Sequence, residues 1–309
     1  MRVCVVGAGG IGMVYAGRLA EASGPDRELV LMTRRPDARH AAAAGLTVER
    51  PRRPPTTHAV PARLEAEIEP GSQDVVILTT KTFDNAAVLP AVARILRSDG
   101  GCLSIQNGIA NLELMRSMLG KARAFRGATG VGATALGKGR VLETSVHSTW
   151  IPSVMPHAES LARWLQLAGL EPMLVDGAER VQWHKAAIGG LSGGLAVLLD
   201  MPFGQVIRRP ACRTVLREML HEIVAVARAC GVDLDVAEEE LEQERMLDVA
   251  PPEAMTSIYT DYRHGRPTEL ADQIEPILAL ADRHRVPLPI VRTLYALTQE
   301  KVAARLTAR

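Results

Sequence analysis

The chain opens on a short apolar run, Arg2 to Val6, followed at once by Gly7, Ala8, Gly9, Gly10, Ile11 and Gly12 and then by an amphipathic stretch through residue 22. A G-x-G-x-x-G string that closes a strand and opens a helix leaves few folds open. The first glycine permits the tight strand-to-helix turn, the second lets a pyrophosphate approach the backbone, and the third allows close helix–sheet packing. Backbone N–H groups at the start of the helix then face an anion. A plain glycine turn shares the string but not this context, so Gly7 to Gly12 are read as the pyrophosphate cradle of a dinucleotide site.

The following 170 or so residues keep to one pattern. Apolar runs at 28–33, 74–80 and 101–106 alternate with helical patterns at 37–44, 85–96 and 111–119. Continuous apolar strands between helices are the signature of a parallel sheet covered on both faces. The stretch 50–61 carries four prolines and reads as a loop or an edge-strand excursion. After about residue 177 strand signals vanish and helical periods take over at 180–199, 211–229, 268–284 and 288–306. Leu216, Leu220, Ile223, Ala227 and Cys230 recur at helical spacing. The fold class expected is α/β: a Rossmann-type doubly wound sheet over 1–177, then an all-helical domain over 178–309. The acidic segment 233–252 reads as a solvated helix and loop.

Composition narrows the function classes. Thirty-six basic residues against thirty-five acidic ones leave a net charge of +1, which argues against a nucleic-acid partner. Aromatic residues make up 3%, too few for a base-stacking surface. Cys4, Cys102, Cys212 and Cys230 form no Cys-x-x-Cys pair and no cluster with zinc spacing, so no metal is expected. The longest run free of charges and histidine, 186–199, is too short to span a bilayer. The chain starts on a strand with no basic leader or apolar signal region, and a cytoplasmic protein that does not engage membranes is expected.

Cofactor choice turns on the end of the second strand. An NAD site usually places Asp or Glu there to hold the ribose 2′-hydroxyl. Here the residues are Thr33, Arg34 and Arg35. A guanidinium suits a 2′-phosphate through bidentate contacts, which favours NADP(H). The alternative is that both arginines are simply solvated.

Further blocks complete a recognisable set: Lys81 after the 74–80 strand, Gln106 to Asn111 (QNGIAN), Trp183-His184-Lys185, and Ser257 and Glu269 within TSIYTDYRHGRPTEL. With the glycine motif they make the sequence resemble the ketopantoate reductase (2-dehydropantoate 2-reductase) family over essentially its whole length. The resemblance implies an NADPH-dependent reduction of a 2-oxo acid, ketopantoate to pantoate in pantothenate biosynthesis. It makes Lys185 the proton donor. It sets Lys81 near the nicotinamide end of the cofactor and gives Asn107 contacts to both cofactor and substrate. Ser257 corresponds to a holder of the substrate carboxylate, and Glu269 to a glutamate near the nicotinamide ribose and the catalytic lysine. Ala133 corresponds to a backbone contact to the cofactor, and Arg34 to the arginine on the 2′-phosphate.

The chemistry of the residues is compatible with those roles. A lysine in a partly dry site can protonate the carbonyl oxygen and stabilise the developing alkoxide. Other readings exist: a surface lysine at 185, turn chemistry at Lys81 and Asn107, a first-turn helix charge at Glu269, a cap or turn residue at Ser257.

The family pattern breaks after Lys185. Where the family has two substrate-binding asparagines, four and eight residues beyond the lysine, this chain has Gly189 and Gly193. Residues 270–276 (LADQIEP) also depart from the family's usual run. Lys185, Gly189 and Gly193 fall on one helical face. The glycines imply either a wider, less polar substrate pocket or close helix–helix packing, for which Gly189/Gly193 and Gly190/Gly194 have small-xxx-small spacing. Three functions are therefore open: a 2-oxo acid reductase acting on ketopantoate, a relative acting on a bulkier or less polar ketone or imine, and a non-catalytic NADPH sensor. The apolar helical faces are also compatible with a homodimer.

Overall fold

The computed structural model describes residues 1–35, 38, 39, 42, 44–145, 147–189 and 192–307. The chain divides into two compact units: Met1–Asn107 with Asn111–Ala178, and Gly108–Ala110 with Glu179–Arg309. The α/β fold class is as expected from the sequence.

The first unit is built on six strands: β1 (Arg2–Val6), β2 (Glu28–Met32), β5 (Ala62–Arg63), β6 (Gln73–Leu78), β7 (Leu96–Ser104) and β8 (Ala124–Arg126). They run in the order β5-β2-β1-β6-β7-β8, and every neighbouring pair is parallel. Counted along the chain within this sheet, that is the 3-2-1-4-5-6 order of a dinucleotide-binding fold. Side chains alternate across β1. Val3 and Val5 enter the core shared with the first helix, α1 (Gly10–Glu21), while Cys4 and Val6 enter the core shared with α2 (Asn85–Ile95) and α3 (Asn111–Leu119). A strand buried on both faces has no polar side, which is why these runs read as continuous apolar segments. Of the helix expected over 37–44, residues 38, 39, 42 and 44 are described and are helical, and the other four lie outside those described.

Helix α1 is enclosed rather than merely half-covered. Two further sheets lie in this unit: one in the order β10 (Gly132–Gly137), β11 (Arg140–Ser145), β3 (Leu46–Arg50) and β4 (Arg53–His58), the other β13 (Glu171–Val175), β12 (Ser148–Pro152) and β9 (Ala128–Thr129). The proline-rich stretch supplies β4, an edge strand, where missing N–H groups do least harm. A methyl on Gly17 of α1 would lie 2.5 Å from Val48 Cγ2 and 2.6 Å from Leu46 Cδ2. The Tyr15 hydroxyl donates to Thr129 Oγ1 at 2.8 Å and shares a 2.5 Å hydrogen bond with Thr149 Oγ1. Trp164 Nε1, on α4 (Ala158–Leu167), donates to the Leu19 carbonyl at 3.1 Å.

Arg18 is the charged member of this buried helix. It is 3% exposed, donates to the Gly169 carbonyl at 2.5 Å, and faces Glu143, 2% exposed, at 3.9 Å. Desolvation raises the Glu143 pKa and lowers that of Arg18, against the smaller opposing pull of their mutual attraction. Burying a charged pair is costly, yet a lone buried charge costs more still.

The second unit is helical: α5 (Glu179–Gly189), α6 (Ser192–Leu199), α7 (Phe203–Val206), α8 (Pro210–Ala229), α9 (Val236–Val249), α10 (Ser257–Arg263), α11 (Leu270–His284) and α12 (Pro289–Thr307). Residues 190 and 191, and with them Gly190, lie outside the description. Helix α8 runs through the core on Leu216, Met219, Leu220, Ile223, Val224, Val226 and Ala227. Its Glu222 carboxylate accepts the Ile290 and Val291 N–H groups, both at 2.9 Å, and so caps α12 from a neighbouring helix. The acidic segment forms α9, whose one buried residue is Glu239. Three consecutive glutamates seat it: Glu238 on Arg180 at 2.9 Å, Glu239 on His184 at 2.6 Å and Glu240 on His221 at 2.6 Å. Among the described residues no helix is long and apolar enough to cross a membrane.

Replacing Glu143 by Ala leaves the Arg18 guanidinium buried without its carboxylate. The expected loss is about 3 kcal/mol of unfolding free energy, the scale for breaking a buried pair, measured by denaturant titration.

Candidate active site

The glycine turn is built for close approach. Gly7 has φ +107°, a left-handed conformation that glycine adopts without a Cβ penalty, and its N–H donates to the Met32 carbonyl at 3.0 Å. A methyl on Gly12 would overlap the Gly7 carbonyl and lie 2.5 Å from Thr79 Oγ1. Thr79 Oγ1 in turn donates to the Val6 carbonyl at 2.8 Å. A methyl on Gly10 would lie 3.0 Å from the Ala133 carbonyl, so Ala133 is brought against the turn. Gly9 is exposed, and a Cβ there would meet nothing within 4 Å. The turn is therefore sealed beneath Gly7, Gly10 and Gly12 and open above Gly9. No acidic side chain stands in the first turn of α1, and its unpaired N–H groups make that end favourable for a phosphate. These features fit the pyrophosphate of a dinucleotide.

Arg34 follows β2 and is exposed, and its guanidinium donates to the Ala87 carbonyl at 2.7 Å. Thr33 is buried and its hydroxyl accepts the Arg35 N–H at 3.2 Å. The strand end thus presents guanidinium groups and no carboxylate from residues 33–35.

Lys81 and Asn107 follow the carboxyl ends of adjacent strands, β6 and β7, where open parallel sheets bind ligands. Asn107 is exposed, and Gly108 after it has φ +90°, the left-handed position an Asn-Gly turn requires. A buried cluster of Ser104, Gln106, Asn85 and Asn111 lies beneath these two residues. It was not anticipated from the sequence. A glutamine ending an apolar strand, with polar residues opening two successive helices, was the available signal.

In the helical unit, Lys185 is half-buried on α5, and desolvation pushes its pKa down to about 8. Trp183, two residues before it, is buried, and Glu239 holds the intervening His184 at Nδ1. Gly189, one turn beyond Lys185, is exposed, and a Cβ there would meet nothing within 4 Å. Gly193 is different. A Cβ there would lie 3.0 Å from both Ile258 Cβ and Thr256 Oγ1. The two glycines thus have separate reasons, open space at Gly189 and close helix packing at Gly193. Thr256, not Ser257, caps α10, accepting the Tyr259 N–H at 3.2 Å; Ser257 is the exposed first residue of that helix. Glu269 is 5% exposed and sits at the N-cap of α11 without making a side-chain cap bond.

A parallel sheet with this glycine turn, in one chain with a desolvated lysine on a helix, is the equipment of a nicotinamide-dependent oxidoreductase acting on a CH–OH/C=O group. The family described as ketopantoate reductase PanE/ApbA matches residues 3–155, and its C-terminal counterpart matches 178–302. The chain belongs to the ketopantoate reductase family. It is 25% identical to the uncharacterized oxidoreductase YkpB of Bacillus subtilis, over 96% of this chain and 97% of that one. It is also 25% identical to the 2-dehydropantoate 2-reductase of Halobacterium salinarum, over 95% and 96%. A PanE/ApbA family ketopantoate reductase from Ralstonia eutropha superposes with a TM-score of 0.86 at 27% identity, covering 99% of both chains. D-mandelate dehydrogenase with NADH and anilino(oxo)acetate shares the fold, with a TM-score of 0.90 at 21% identity over 99% of both chains.

The two glycines make opposite predictions. Gly189→Ala is expected to leave thermal stability near wild type. Gly193→Ala, which must displace Ile258 or the Thr256 cap, is expected to cost about 1–3 kcal/mol, the usual scale for overpacking. Equal effects in thermal unfolding would contradict the separate roles.

Proposed function

We propose that this protein reduces a 2-oxo acid with NADPH, 2-dehydropantoate being the substrate of first choice, and that Lys185 is the proton donor. The observation that carries the reading is the desolvated Lys185 ammonium, with a pKa lowered to about 8. A lysine in that range is still protonated at pH 7 but releases its proton far more readily than one at its solution value of 10.5. The family membership and the 25%-identical relatives named 2-dehydropantoate 2-reductase support the substrate class.

The bound nicotinamide dinucleotide supplies the hydride. The backbone of Gly7, Ala8, Gly9, Gly10, Ile11 and Gly12 holds its pyrophosphate, and Arg34 pairs with the 2′-phosphate. Lys81 stands near the nicotinamide end, and Asn107 and the Ala133 backbone contact the cofactor. Lys185 Nζ donates its proton to the carbonyl oxygen as the carbon is reduced, and its positive charge stabilises the alkoxide until that transfer is complete. Asn107 and Ser257 orient the substrate, the Ser257 hydroxyl holding the substrate's carboxylate, and Glu269 acts beside the nicotinamide ribose and Lys185. Gly189, one turn from the lysine, leaves room for the substrate's side chain. Four free cysteines, two of them buried, fit a reducing, cytoplasmic setting.

Lys185→Ala is expected to lower kcat by about 100-fold or more, the scale of a lost general acid, with the Kd for NADPH little changed. In the wild type the reduction rate is expected to hold steady below pH 8. Above it the rate falls tenfold per unit as the ammonium deprotonates. Because a lowered lysine pKa means that folding works against the charge, Lys185→Met is expected to be at least as stable as wild type at pH 7. Near-normal turnover of either variant would overturn the assignment.

Arg34→Ala is expected to raise the Kd for NADPH by about tenfold, the equivalent of one lost charge-assisted contact, and to leave NADH binding nearly unchanged. Equal losses for both cofactors in fluorescence titrations would mean that Arg34 does not read the phosphate.

A further inference from the structure

Where the ladder between β6 and β7 stops, one side chain takes over. The last backbone bond between the two segments runs from the Ile105 N–H to the Leu78 carbonyl at 3.3 Å. Beyond it, the Gln106 side chain, 7% exposed, reaches across. Its Nε2 donates to the Thr80 carbonyl at 2.7 Å and to Asn85 Oδ1 at 2.8 Å. Its Oε1 accepts from Asn85 Nδ2 at 3.1 Å, Ser104 Oγ at 3.0 Å and Asn111 Nδ2 at 3.0 Å. Both amide hydrogens are used, and Asn85 and Gln106 form a reciprocal amide pair.

The placement matters because Thr80 immediately precedes Lys81 and Gln106 immediately precedes Asn107. One carboxamide therefore spans the two strand ends that carry those residues and ties both to Asn85 at the start of α2. We infer that Gln106 is a positioning residue, setting the spacing and orientation of Lys81 and Asn107 through its bonds to Thr80 and Asn85. The inference rests on the reading of Lys81 and Asn107 as residues that contact cofactor and substrate.

Physical reasons favour positioning over filling. A buried amide with its donors and acceptors matched is directional, whereas an apolar residue of similar volume defines no hydrogen-bond geometry. In Gln106→Leu, the Thr80 carbonyl loses its Gln106 donor and the Asn85 amide loses its reciprocal partner, and a buried unpaired group favours local rearrangement. A shift of about 1 Å in a residue that orients reactants costs on the order of 100-fold in rate.

The test compares Gln106→Leu, Gln106→Glu and Asn111→Ala with Lys81→Ala and Asn107→Ala. Each is assayed for thermal unfolding, NADPH affinity, and kcat and KM with 2-dehydropantoate. Asn111→Ala removes an amide from the same cluster but leaves the bonds to Thr80 and Asn85 in place. It is expected to unfold at lower temperature with wild-type kcat. Gln106→Leu is expected to lose about 10- to 100-fold in kcat as well as stability. Gln106→Glu keeps the shape and is expected to regain activity as the pH falls and its carboxyl becomes a donor to the Thr80 carbonyl, a limb that wild type lacks. If Gln106→Leu does not fold, Gln106→Glu decides by that limb. If Lys81→Ala and Asn107→Ala are impaired while the Gln106 variants keep wild-type kcat, the positioning role is wrong and the site reading stands. If Lys81→Ala and Asn107→Ala themselves keep wild-type affinity and kcat, the reading of the site falls and the inference with it.

Discussion

The parallel-sheet unit depends on how closely helix α1 meets the end of β1. The Gly12 Cα lies so near the Gly7 carbonyl that no side chain fits between them, and Thr79, just past the end of β6, closes the same space. That contact aims the helix N-terminus out of the sheet's carboxyl edge and leaves Gly9 facing open space. It also commits α1 to burial along its length. A helix so enclosed needs partners for its polar groups, and Tyr15 and Arg18 find theirs in Thr129, Thr149, Gly169 and Glu143. The additional sheets of this unit are the means by which the first helix is covered.

The helical unit solves a different problem. It desolvates Lys185 and also holds the helix that carries it. Apolar packing supplies one side, through Trp183 and Ala187, and a hydrogen bond supplies another, between Glu239 and His184. Helix α9 fully buries one residue, Glu239, and lays the partly buried Val236, Met246 and Leu247 on the core, so polar and apolar contacts both dock it. Gly193 lets α6 approach the start of α10 to within contact of Ile258 and Thr256. The same residue type at Gly189 does the reverse, leaving space one turn from Lys185.

Much of this was legible in the amino-acid order. The parallel sheet was readable because strands buried on both faces are continuously apolar. The glycine turn was readable because each glycine has a steric reason at a fixed spacing. The proline-rich stretch read as a loop or an edge strand by its missing N–H groups, and the structure makes it the edge strand β4. The strands of the two smaller sheets were much less readable: β10 is Gly132-Ala133-Thr134-Ala135-Leu136-Gly137, short and largely exposed, and β13 is a half-exposed edge strand. Such strands draw their order from partners distant in the chain. The Ser104–Gln106–Asn85–Asn111 cluster was invisible for the same reason, since four polar residues spread over 27 positions show no pattern until the strands align them.

The sequence by itself determined the fold class, the dinucleotide turn and the identity of the residues able to do proton and anion chemistry. Those follow from local sterics and from the periodicity with which apolar side chains must face a core. Only the tertiary structure decided what each of those residues can do. It separated Gly189 from Gly193, made Thr256 the cap of α10, and drew Gln106 beneath the strand ends that carry Lys81 and Asn107. It also lowered the pKa of Lys185, because desolvation depends on every neighbour that excludes water, and those neighbours come from segments that the linear order does not place together.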